Sequence, residues 1–151
     1  CTIIINKYIY MKLIKPSYKI IEQEPDINGI YKMIEYAGRI CYKSENKITE
    51  DSAKPFVDRM IKSGHGAILE HGTVYLKLET QTHAERYLYN KYSEVRTCYG
   101  IYYVTTNLRI LVENDWLDDL QYLCEPTEYH EKRVTVHFIC DRGVSHKKFV
   151  A

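Results

Sequence analysis

Two imidazoles and a carboxylate crowd together in Gly64-His65-Gly66-Ala67-Ile68-Leu69-Glu70-His71-Gly72, just ahead of the apolar alternation Val74, Leu76, Leu78. Three uses suit such a set. His and carboxylate side chains bind zinc, but a zinc site needs roughly three or four converging ligands at definable spacings, and neither H-E-x-x-H nor a Cys/His pattern is present. The imidazoles can instead cap a helix or hydrogen-bond backbone in a glycine-rich turn. Third, glycines that permit positive φ or close backbone approach can bring a small ligand against the chain.

Other reactive side chains give weaker signals. No cysteine sits in an electropositive, glycine-flanked setting of the kind that activates a thiolate, and the alternating position of Cys140 reads as core. Ser145 beside His146 lacks the G-x-S-x-G turn of a nucleophile elbow. The spacing of His130, His137 and His146 singles none of them out, and Arg142 is as readily solvated as anion-binding.

These residues need elements to hold them. Cys1 to Tyr10 is strand-like and too short to span a membrane; it has no secretory cleavage site, and Met11 is the expected start, which makes residues 1 to 10 an upstream segment. Leu13, Ile14, Tyr18, Ile20 and Ile21 suggest a strand interrupted at Pro16. Asp26 is placed to cap a helix with Ile27, Ile30, Tyr31, Ile34, Ala37 and Ile40 or Cys41 at helical intervals. Thr49 or Ser52 caps a second, with Glu50 and Asp51 in its first turn and Ala53, Phe56, Val57, Met60 and Ile61 on one face. Gly64 then closes it in the αL manner.

The spacing next predicts a strand over 73–78, a helix over 83–92, an ambiguous stretch over 93–105 and a helix over 109–124 ended by Pro126. Val134, Val136, Phe138 and Cys140 alternate with Thr135, His137 and Ile139, the mark of a well-covered strand, after which Asp141 to His146 turns toward another helix. That helix has barely begun at Ala151, so the domain reads as truncated. The expected fold is α/β of the α+β type: a mixed or antiparallel sheet packed with helices in a single domain.

A formal charge of +1 on 151 residues gives no broad electrostatic reason to bind nucleic acid or an anionic membrane. Five scattered cysteines with no C-x-x-C pair signal neither a disulfide framework nor a zinc ribbon, which favours a reducing cytoplasm. The fifteen tyrosines accompany many Ile and Lys, a bias that AT-rich coding produces without any stacking function.

Three segments together resemble the flavin-dependent thymidylate synthases. Tyr36-Ala37-Gly38-Arg39-Ile40-Cys41-Tyr42-Lys43-Ser44 is similar to that family's first-helix segment, and Gly64-His65 through Glu70-His71 to its Gly-His-x-Ser/Thr-x-x-Glu-His segment. Phe138 to His146 resembles the strand and turn leading into its signature helix, so the likeness runs from about Met11 to His146 and residues 11 to 151 correspond to the family's N-terminal part. The resemblance implies methylation of dUMP to dTMP, with the methylene from methylenetetrahydrofolate and reducing equivalents from NADPH through FAD. It also implies a homotetramer with active sites between subunits. By matching position His65, Ala67 and Glu70 line the flavin site, with Arg39 and Ser44 contributing, and the chemistry resides in the cofactor.

Two departures stand out. Ala67 occupies a position where many members carry Ser or Thr, and the signature Arg-His-Arg, expected directly after a segment like Ser145 to Ala151, occurs nowhere in the 151 residues. Lys147 and Lys148 do not reproduce bidentate arginine geometry. The expectation is an incomplete, inactive form of the enzyme. The alternatives are a non-catalytic module that assembles with itself or with an intact synthase, and a small metal-dependent hydrolase using His65, Glu70 and His71.

Overall fold

Asp26 opens the first helix as its spacing predicts. Its carboxylate accepts from Gly29 N at 2.7 Å, and helix α1 runs Ile27–Cys41 with Ile30, Met33 and Ile34 turned inward. In the computed structural model, which describes residues 15–140, the chain forms two compact units, 22–134 and a second built on its two ends.

In the larger unit α2 (Ala53–Lys62) lays Phe56, Val57 and Met60 against the core. Glu50 and Asp51 fall before this helix, not in its first turn. Ser52 flanks it without a side-chain cap, because its hydroxyl donates to Glu35 Oε2 at 2.8 Å and accepts from Thr49 N at 2.8 Å. After a single-turn helix α3 (Gly66–Leu69), strand β2 (Thr73–Leu78) buries Val74, Leu76 and Leu78 on one face. Gly72 lies between them for a packing reason: a Cβ there would stand 2.6 Å from Ile34 Cδ1 and 2.8 Å from Ile30 Cγ2.

Helix α4 spans Gln81–Leu88, shorter than periodicity predicts, since the Asn90 side chain takes Tyr92 N at 2.9 Å and draws the chain into a turn. The ambiguous stretch is a hairpin of β3 (Glu94–Cys98) and β4 (Ile101–Asn107). Its two turn residues, Tyr99 and Gly100, have φ of +50° and +76°, the left-handed pair that matches strand twist. The sheet order is β2-β4-β3, antiparallel throughout.

The long helix expected over 109–124 is broken. Helix α5 (Leu108–Glu113) stops where Asp115 takes φ +58° and Trp116 N returns to Leu111 O at 2.7 Å, a left-handed stop made without glycine. A 3-10 helix, Leu117–Tyr122, follows, and Leu123 then bridges Leu76. Cys124 N donates to Tyr75 O at 3.0 Å, so this segment covers the open edge of β2.

The smaller unit contains an antiparallel ribbon of β1 (Ser17–Ile21) and β5 (Thr135–Ile139), with Tyr18 opposite Phe138 and Ile20 opposite Val136. Expected to be well covered, β5 instead leaves Val136, Phe138 and Ile139 exposed, and Cys140, expected in the core, is exposed as well. Alternation fixes which side chains share a face; it does not supply a layer to cover that face. The architecture is α+β with two antiparallel sheets, as expected of the class. The strand-like opening and the turn from Asp141 toward a further helix lie outside the described residues. Among the described residues no helix is long and apolar enough to cross a membrane.

Candidate functional site

The end of α2 sets the position of His65. Gly64 adopts φ +71°, Gly64 N donates to Ile61 O at 3.1 Å and His65 N to Met60 O at 3.0 Å, the paired bonds of a Schellman stop. His65, which makes the second of these bonds, is itself the residue that opens α3, so the backbone on both sides of the imidazole is fixed while its ring stays exposed.

A second turn meets it from α1. Tyr42 caps that helix, Lys43 takes φ +49° and Ser44 N donates to Arg39 O at 2.8 Å. The Tyr42 hydroxyl lies 3.3 Å from His65 Nδ1. Tyr42, Gly64, His65, Gly66, Ala67, Ile68 and Arg109 line an open cleft of ≈ 360 Å³. Glu70, at the far end of α3, receives Arg109 Nη1 at 2.5 Å, while Arg109 Nε donates to Glu113 Oε1 at 2.6 Å. Those two carboxylates, Glu113 first, hold the Arg109 guanidinium above the ordinary arginine pKa.

Of the residues singled out in the sequence, His65 and Ala67 line the cleft directly and Glu70 reaches it through Arg109. Ser44 is half-buried on the neighbouring turn. Arg39 is turned away. Its Nε and Nη2 donate to buried Glu35 at 3.1 and 3.0 Å and its guanidinium stacks over Phe56, 4.8 Å from the ring centre. His71 is exposed and does not line the cleft. Among the described residues no three His, Cys, Asp or Glu side chains converge as a metal site.

Two polar clusters escape sequence reasoning. Buried Asp119 accepts from Arg86 and from the Tyr87 hydroxyl and lies 3.2 Å from His83 Nε2, with Arg86 4.8 Å above Trp116. Burial, then the bond to Asp119, pushes the Tyr87 phenol up. In the second, His130 Nδ1 accepts from Thr127 N at 3.0 Å, so the proton resides on Nε2, which donates to Leu76 O at 3.1 Å. Cys124 Sγ lies 3.8 Å from that nitrogen, but Nε2 is a donor and burial raises the thiol, so the pair is no nucleophile and base. Only the adjacency of histidine to a Pro-containing loop marks this second cluster in the sequence; nothing marks Asp119.

No curated protein and no solved structure matches the chain. A family model does: that of Thy1, thymidylate synthase complementing protein, over residues 21–99, just over half of the chain. The matched stretch contains α1, the Gly-His turn and α3, every cleft-lining residue except Arg109. The chain belongs to the thymidylate synthase complementing protein family, the flavin-dependent thymidylate synthases.

Proposed function

We propose that the cleft between the Tyr42 turn and the Gly64 to Glu70 turn receives part of an FAD, and that the chain supplies the flavin side of an enzyme converting dUMP to dTMP. Methylenetetrahydrofolate is the methylene donor and NADPH the source of reducing equivalents. The carrying observation is that two sequence-distant segments of the family-matched region converge on one cleft. Its donor set suits a flavin portion: an exposed imidazole beside a phenol, an apolar floor at Ala67 and Ile68, and a carboxylate fixed at one end. A volume of ≈ 360 Å³ takes part of such a cofactor, not all of it.

Bound flavin supplies the redox step of the methyl transfer. His65, Tyr42 and Ala67 would be the residues that hold it, with Glu70, fixed by Arg109, available as a hydrogen-bond acceptor. Arg39 supports the site by tying α1 to α2 through Glu35 and Phe56. Ser44 shapes the adjoining turn.

These 151 residues contain no Arg-His-Arg. By the family resemblance that motif would supply the cationic and hydrogen-bonding groups for the nucleotide phosphate and base, so on this reading these 151 residues need those groups from other polypeptide to form dTMP. The same point favours a second reading, a non-catalytic module that assembles with further copies or with an intact synthase. Titrating FAD into the purified chain, free of host synthase, and assaying dTMP formation with and without added intact enzyme separates the two. Saturable flavin binding without turnover supports the first reading; hybrid oligomers with no flavin binding support the second. Turnover by the chain alone overturns the statement that it needs other residues.

A further inference from the structure

The family-matched residues end at 99, yet one wall of the cleft is Arg109, from α5 beyond that stretch. We infer that Arg109 is a positioning residue that holds Glu70 at the cleft, with Gly66 leaving the bridge room to pass over α3. This deepens the flavin reading and rests on it for the identity of the ligand.

Arg109 is bonded on two sides. Nε donates to Glu113 one turn along the same helix, at 2.6 Å, which fixes the guanidinium plane. Nη1 then reaches Glu70 at 2.5 Å across 39 positions of sequence. A planar, forked cation is suited to such a bridge, whereas a lysine, as a single point charge, cannot hold both carboxylates in fixed directions. The bridge runs directly over α3: a Cβ on Gly66 would stand 3.2 Å from Arg109 Nε and 3.3 Å from Glu113 Oε1. Gly66 is not in a left-handed conformation, so its backbone would accept a side chain, but a Cβ there would push the Arg109 to Glu113 pair aside by a few tenths of an ångström. Arg109, Glu70 and Glu113 all keep substantial solvent exposure, so the bridge contributes little to stability. Its consequence is geometric: one of several Glu70 rotamers is selected, at the mouth of a cleft where a ligand's hydroxyl or amine would meet it.

Two measurements test this. In the first, NMR of the Arg109 side-chain N–H groups in the full chain should show slowed exchange that E70Q and E113Q each relax. Free exchange in the unmodified chain overturns the inference whatever flavin does. In the second, FAD affinity and the bound-flavin absorbance band are measured for E70Q, R109M and the double variant. Each single variant is expected to weaken binding about tenfold, and the double no further, because Arg109 acts through Glu70. R109K should recover only part of the loss, with the absorbance band still displaced. Additive losses, or R109M binding like the unmodified chain while E70Q does not, overturn the inference. If the unmodified chain takes up no flavin but Arg109 remains coupled to Glu70, the positioning of Glu70 stands and the flavin reading fails.

Discussion

At the residue scale the chain uses its histidines in opposite ways. His65 is held by backbone on both sides with its ring exposed beside Tyr42, whereas His130 is buried with both ring nitrogens committed. Burial holds His130 below its ordinary pKa, and the Leu76 carbonyl only partly opposes this. The native protein keeps it neutral while the unfolded chain takes up a proton below about pH 6.5. Stability is therefore full above that pH, falls as pH drops through it and levels off below the native-state pKa. Urea midpoints measured from pH 8 to pH 5 should show that loss, and H130Q should flatten it. Asp119 gives a larger effect. Replacing it with Ala leaves Arg86 and the Tyr87 hydroxyl without their partner in a buried site, which should cost about 3–5 kcal/mol in chemical denaturation. These residues were opaque in the sequence because burial and partnership across more than thirty positions determine their roles.

The elements follow local chemistry closely where a cap or a glycine is explicit. Asp26 at the start of α1 and Gly64 at the end of α2 are both legible in sequence, and both perform as their side chain, or lack of one, dictates. Where the signal is non-standard, periodicity misleads. Asp115 stops α5 with no glycine present, and the apolar spacing carries on past it into a 3-10 helix. The hairpin over 94–107 is hidden by tyrosines that read equally as helix or strand. Gly72 illustrates a different limit: it looks like part of a ligand-binding glycine cluster, yet what approaches it is the core of α1. G72A should therefore destabilise by about 1–3 kcal/mol through overpacking while leaving any flavin affinity per folded molecule unchanged, as thermal melts beside flavin titrations would show. G64A should cost about 1 kcal/mol for an L residue in the left-handed region.

For the molecule as a whole, the α+β class and the family were readable from sequence because the glycine-histidine turn and the first helix carry both. What was not readable is how the matched region is completed. Residues 101–134 contribute the central strand β4, the cover for the edge of β2 and the arginine that fixes Glu70. The cleft is thus built by residues of the family-matched stretch together with one wall, Arg109, from outside it. The most direct test is to add FAD to isotopically labelled chain and follow its amide resonances. Saturable shifts concentrated at Tyr42 and Gly64 to Glu70 are expected, with H65A abolishing them and the fold intact. Shifts absent at saturating flavin, or centred on the Asp119 cluster instead, would contradict the assignment of this cleft as the flavin site.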